Sequence, residues 1–133
     1  MAKILICEDD DLYRQVAEIA FTDSGHALVF AQNGDEAIAC LKQDPAFDLV
    51  VTDLVMPGKD GLEVIRAIRE SYGRIPVLAM TAGLASLKGP LLVAASALGA
   101  DDVIEKPFRP LALRARVDAL LAKAAARRAE SAA

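Results

Sequence analysis

Histidine and cysteine are scarce in this sequence of 133 residues, which holds one histidine, His26, and two cysteines, Cys7 and Cys40. A Ser–His or Cys–His nucleophile pair would have to use His26, and no nucleophile motif points to it. His26 precedes a strand-like run and reads as a partly exposed structural residue. The cysteines form no CxxC pair, which argues against zinc and against a disulfide framework. Both sit in apolar patterns and read as reduced, buried thiols of a cytoplasmic protein. No apolar run approaches the roughly 20 residues that span a bilayer. Acidic residues follow Met1-Ala2-Lys3-Ile4-Leu5 within a few positions, which is unlike a signal peptide. Excess positive charge is also missing. With 15 Lys and Arg against 19 Asp and Glu, the net charge is −4 and the pI is near 4.9. Nucleic acid is therefore not the expected direct partner.

What is present describes one folded unit. Hydrophobic residues make up 54% and charged residues 26%, and the mean hydropathy is +0.32. Disorder needs the opposite balance, and this length suits a single domain. Short apolar runs alternate with longer amphipathic ones. Lys3–Cys7, Ala27–Phe30, Phe47–Asp53, Pro76–Met80 and Asp102–Glu105 read as strands. Helices are expected from Asp11, as N-cap, to about Ser24, with Leu12, Val16, Ile19 and Ala20 on one stripe and Gly25 closing it. Others are expected over Asp35 to about Lys42, over Gly61 to about Tyr72, from about Pro90 onward, and from Pro110 with Leu113, Val117, Leu120 and Leu121 inward. Residues after Ala122 extend the last helix and then fray. Strands alternating with helices imply an α/β fold, a parallel sheet covered on both faces. Ligands in such sheets bind outside the carboxyl ends of the strands.

Those ends carry the chemistry. Glu8-Asp9-Asp10-Asp11 follows the first strand, and Asp53 ends the third. Carboxylates converging in one crevice raise each other's pKa or hold a cation, and hard oxygen ligands beside a phosphate suit Mg²⁺. A dinucleotide or flavin fold would place glycines after the first strand, and there are none. Thr81 brings a hydroxyl after the fourth strand, and Lys106, followed by Pro107, brings an ammonium after the fifth. Acids, a hydroxyl and a lysine at one point form a site that receives a phosphoryl group.

The run ending in Glu8-Asp9, the stretch Asp53-Leu54-Val55-Met56-Pro57-Gly58-Lys59-Asp60-Gly61, Thr81-Ala82 and Lys106-Pro107-Phe108 together resemble the receiver domain of two-component response regulators. The resemblance covers about residues 3–122. It implies a doubly wound, flavodoxin-like sheet of order 2-1-3-4-5, with residues 1–122 as the receiver and 123–133 as a helical extension and tail. It implies that Asp53 is the phosphoacceptor, that Asp9 ligates Mg²⁺ directly, and that Glu8 is the neighbouring acid. The main-chain carbonyl of Val55 would complete the metal shell. Thr81 matches the switch hydroxyl and Lys106 the lysine that pairs with the phosphate. Met56, Pro57 and Gly61 match the turn after the acceptor. The implied donor is a histidine kinase or histidine phosphotransfer protein. The implied output is contact between the helix-four to helix-five face and another protein, since the chain has no length for a second module.

Three positions depart from the family pattern. Val103 stands where many members carry an aromatic residue three before the lysine. The segment between Thr81 and Lys106 is longer than in compact members, with Leu84–Pro90 as a long loop. Val55 and Gly83, two beyond Asp53 and Thr81, cannot orient an attacking water, so the phosphorylated form should persist. Val55 also bears on a different class of function. Phosphate-hydrolysing enzymes with an aspartyl-phosphate intermediate commonly place an aspartate two after the nucleophile, and this chain does not. A binding-only pseudo-receiver would lack the acceptor, an acid or the lysine, and all are present.

Overall fold

The computed structural model describes residues 1–56, 61–82 and 93–132. The elements are β1 (Lys3–Cys7), α1 (Asp11–Ala20), β2 (Ala27–Ala31), α2 (Gly34–Gln43), β3 (Leu49–Asp53), α3 (Gly61–Ser71), β4 (Val77–Ala82) and β5 (Asp102–Lys106). Helical residues 93–98 are α4, and α5 spans Pro110–Ala132. The expected helix start near Pro90, the loop 84–90, Pro57, Gly58 and Gly83 lie outside the described residues. The five strands form one sheet in the order β2-β1-β3-β4-β5, and every neighbouring pair is parallel. Order reverses between β1 and β3, so the crevice of a doubly wound sheet lies at their carboxyl ends.

Alternation along each strand builds two cores. Leu5, Cys7, Val50, Val77 and Ala79 face one side, where Leu41 of α2 and Val64, Ile65 and Ile68 of α3 cover them. Ile4, Ile6, Leu49, Val51, Leu78, Met80 and Ile104 face the other, against Ala17 and Ala20 of α1 and Leu113, Val117 and Leu120 of α5. Strands buried on both faces are why β1, β3 and β4 are unbroken apolar runs in the sequence. Cys7 is buried, Cys40 is partly buried, and both are free thiols. Burial pushes the Cys7 thiol up to about 12. His26 is partly buried, and its Nδ1 accepts the Ala2 N–H at 2.9 Å.

Four local expectations are corrected. The N-cap of α1 is Asp10, not Asp11: Asp10 is extended (φ −88°, ψ 121°) and its carboxylate accepts the Leu12 N–H. Asp11 already lies in the first turn, where a carboxylate suits the positive end of the helix dipole. The helix stops at Ala20, because Phe21, Thr22 and Ser24 turn back through bonds to Ala17, Ile19 and Phe21. Its inward stripe is Tyr13, Ala17, Ala20 and Phe21, while Leu12 and Ile19 are 61% and 63% exposed. At the other end of the chain, α5 continues to Ala132 rather than fraying. Alanine favours the helix, and Ala124 is still buried.

A single side chain ties α3 to the end of α4. Arg69 donates to the carbonyls of Gly73, Ile75 and Gly99 and to the Asp101 carboxylate, at 2.6–3.1 Å. Gly99, at φ +109°, has no room for a side chain there, since a Cβ would sit 2.7 Å from Arg69 Nε.

Candidate functional site

Glu8 is the first residue beyond β1, and its N–H bonds to the Ala31 carbonyl at 2.9 Å, which extends the strand ladder by one step. That bond holds the Glu8 side chain in the crevice, fully buried, while Asp9 is exposed at its rim. Asp53 ends β3 and is 6% exposed. The Asp53 backbone pairs with Met80 on β4, which places Thr81 one step further along the neighbouring strand. Lys106 ends β5 in register with Ala82, and a cis peptide joins it to Pro107.

The structure brings four of these side chains together. Glu8, Asp9 and Asp53 each offer a carboxylate oxygen, and the three oxygens lie within 4.8 Å of one another. Lys106 Nζ donates to Glu8 Oε1 at 2.5 Å and to Asp53 Oδ2 at 2.9 Å. Asp53 Oδ1 accepts the Val55 N–H at 3.3 Å. Val55 itself is 62% exposed. Thr81 is buried, and its hydroxyl donates to the Ala82 carbonyl at 3.5 Å. Among the described residues, Thr81 makes no side-chain bond to Asp53.

Burial, and after it the neighbouring Asp53 carboxylate, pushes Glu8 up from 4.5 to about 8, against the pull of Lys106. Burial alone would lower Lys106. Its bonds to Asp53 and Glu8 outweigh that and hold it above its ordinary value. One ammonium is thus shared by two buried carboxyl groups, with a third, Asp9, beside them. Glu8 Oε2 is buried and has no hydrogen-bond partner among the described residues. Such an atom is costly unless something binds it. An orphaned buried oxygen among oxygen-only donors fits a hard divalent cation of the Mg²⁺ kind.

Two contacts were not legible beforehand. The Tyr13 ring lies over Lys106 Nζ, 4.3 Å from ammonium to centroid, and Phe108 packs on Tyr13 with centroids 5.3 Å apart. These rings shield the lysine's bonds from water and add a cation–π attraction. The available signal was an aromatic residue one turn into the helix that follows the acidic strand end.

A sequence model of the response regulator receiver domain matches residues 4–118. The transcriptional regulatory protein ResD of Bacillus subtilis is 40% identical over 92% of this chain and 49% of its own length. The transcriptional regulatory protein AfsQ1 of Streptomyces coelicolor is 35% identical over 91% of this chain and 52% of its own. This chain therefore spans about half the length of these curated relatives. The crystallised chemotaxis protein CheY4 of Vibrio cholerae superposes with a TM-score of 0.79 at 30% identity, covering 90% of this chain and 98% of that one.

Proposed function

The chain belongs to the response regulator receiver domain family, and from that premise we propose that Asp53 is the residue that accepts the phosphoryl group. The family is a signalling domain of two-component systems. The observation that carries the assignment is the placement of Asp53: nearly buried at the end of β3, bonded to Lys106, and grouped with Glu8 and Asp9.

An Asp53 carboxylate oxygen attacks phosphorus, an oxygen–phosphorus bond forms, and the phosphorus–nitrogen bond of a phosphohistidine breaks, leaving the electron pair on the imidazole. Lys106 is already seated on Asp53 and neutralises charge on the arriving phosphoryl oxygens. Thr81 stands one step along β4, where rotation of its side chain turns the hydroxyl toward a phosphoryl oxygen. Glu8, Asp9, Asp53 and the Val55 carbonyl would hold Mg²⁺, which supplies further neutralisation of phosphoryl charge when bound. The donor is a histidine kinase or a histidine phosphotransfer protein. The chain catalyses only its own Mg²⁺-dependent phosphorylation and slow dephosphorylation. Residues 1–122 form the receiver, with 123–133 as an extension of its last helix. The α4 to α5 face carries the output to another protein in the cytoplasm, without direct contact with nucleic acid or membrane.

Incubation with radiolabelled acetyl phosphate and Mg²⁺ should label the protein, and Asp53→Ala and Asp53→Asn should remove the label. Label retained on either variant would refute Asp53 as the acceptor.

A further inference from the structure

The amino ends of the strands, at the opposite pole from Asp53, carry a second feature. Residues 124, 127, 128 and 131 continue the inward stripe of α5 past the sheet, at the spacing of one helix face. The stripe changes character there, from Leu113, Val117 and Leu120 to Arg127 and Arg128. With the entrances to β3 and β4 it encloses a cleft of about 540 Å³. The apolar lining is Phe47, Ile75, Pro76 and Ala124, and three arginines, Arg74, Arg127 and Arg128, stand around it against one acid, Asp48.

None of these three guanidinium groups makes a hydrogen bond or ion pair among the described residues. Neither of the acids nearby pairs with them. Asp48 accepts the Lys3 N–H at 2.8 Å, and Asp101 accepts from Arg69 and from the Val77 N–H. The cleft also continues beyond its own walls. A shallower depression on one side shares Arg74 and Arg127 with it, and another on the other side shares Asp48 and Arg128. The result is a trough across the base of the molecule, apolar at its centre, with Arg74 and Arg127 at one junction and Arg128 beside Asp48 at the other, on a chain whose net charge is −4.

We infer that this trough binds an extended acidic peptide segment of a partner protein, with one bulky apolar side chain seated between Phe47, Ile75 and Ala124 and flanking carboxylates on Arg74, Arg127 and Arg128. Arginine suits carboxylates because its planar fork binds them bidentately. An elongated trough matches a strand of peptide better than a compact ligand. At least 15 Å of sheet separates it from Asp53, since each strand runs five or six residues at roughly 3.3 Å apiece. Occupancy is therefore independent of the phosphoacceptor assignment.

The test is fluorescence anisotropy of the full chain with a dye-labelled nonapeptide of four acidic residues on each side of a phenylalanine. Saturable binding is expected, weakening as salt rises. Arg127→Glu with Arg128→Glu should weaken it at least about tenfold, and a serine in place of the peptide's phenylalanine should weaken it several-fold. Arg74→Gln, on a different element, should weaken it even if the double variant loses its last helical turns by circular dichroism. Asp53→Ala should bind as the parent does. Unchanged affinity in Arg74→Gln, or for the serine peptide, overturns the inference. So does tighter binding of an oligodeoxythymidylate or of phosphatidylglycerol vesicles, which would make the trough a general anion surface.

Discussion

Lys106 shares one ammonium between two buried carboxyl groups, Glu8 and Asp53, and the burial of Glu8 makes the site responsive to pH. Glu8 sits fully buried with its pKa raised to about 8, chiefly by burial. Without divalent cation the folded chain holds this proton over a range where the unfolded chain has released it. Stability should therefore fall as pH rises from about 4.5 to about 8, because the native state binds the extra proton. Thermal melts in a chelating buffer check this, and Glu8→Gln should remove that part of the slope. The residues involved were visible in the sequence because a parallel sheet puts all its strand ends at one pole. Glu8, Asp53 and Lys106 needed only the strand boundaries to be brought together. Tyr13 was not visible. Both Leu12–Ile19 and Tyr13–Ala20 are spaced as helical stripes, and the choice between them depends on how closely α5 approaches. The structure favours the stripe with small alanines, which lets Leu113 and Val117 of α5 pack against α1.

Among the helices, α3 begins directly against the acceptor strand. Its first residue, Gly61, lies so close to β3 that a Cβ would fall 2.0 Å from the Asp53 carbonyl oxygen and 2.7 Å from Leu54 Cα. Both obstacles are backbone and cannot rotate away. Gly61→Ala should cost about 2–4 kcal/mol, in the range of severe overpacking, read as a lower urea midpoint. Glu70→Ala on the exposed side of the same helix should leave the midpoint nearly unchanged. The sequence marks Gly61 as a turn residue, while the reason only glycine fits is a tertiary contact. Element identity was legible throughout the described chain, because apolar runs and amphipathic spacings differ plainly. Ends were less so. The cap of α1 shifted to Asp10 because four successive acids offer several equivalent caps, and only backbone conformation selects one. The full length of α5 is not legible in the sequence, because its last turns carry few bulky apolar residues to mark them.

At the scale of the whole molecule, the poles of the sheet differ: three clustered carboxyl groups and Lys106 at the carboxyl ends of the strands, and Arg74, Arg127 and Arg128 with Asp48 at the amino ends. A cation bound at the first pole stabilises the whole fold by mass action. Mg²⁺ at a hundredfold its dissociation constant should add about 2.7 kcal/mol. That gain should appear as a rise in melting temperature, and Asp9→Ala combined with Asp53→Ala should abolish it. Among the described residues, no helix is long and apolar enough to cross a membrane.

The Arg69 strap sets how these parts can move. With Gly99 held by two guanidinium nitrogens and Asp101 by a third bond, the carboxyl-terminal end of α4 is a fixed fulcrum. A reorientation of that helix that keeps these bonds swings about Gly99, like a lever on a pin. Displacement then grows toward residue 93 and vanishes where α4 meets the lead into β5. Sliding along the helix axis is excluded while the pin holds.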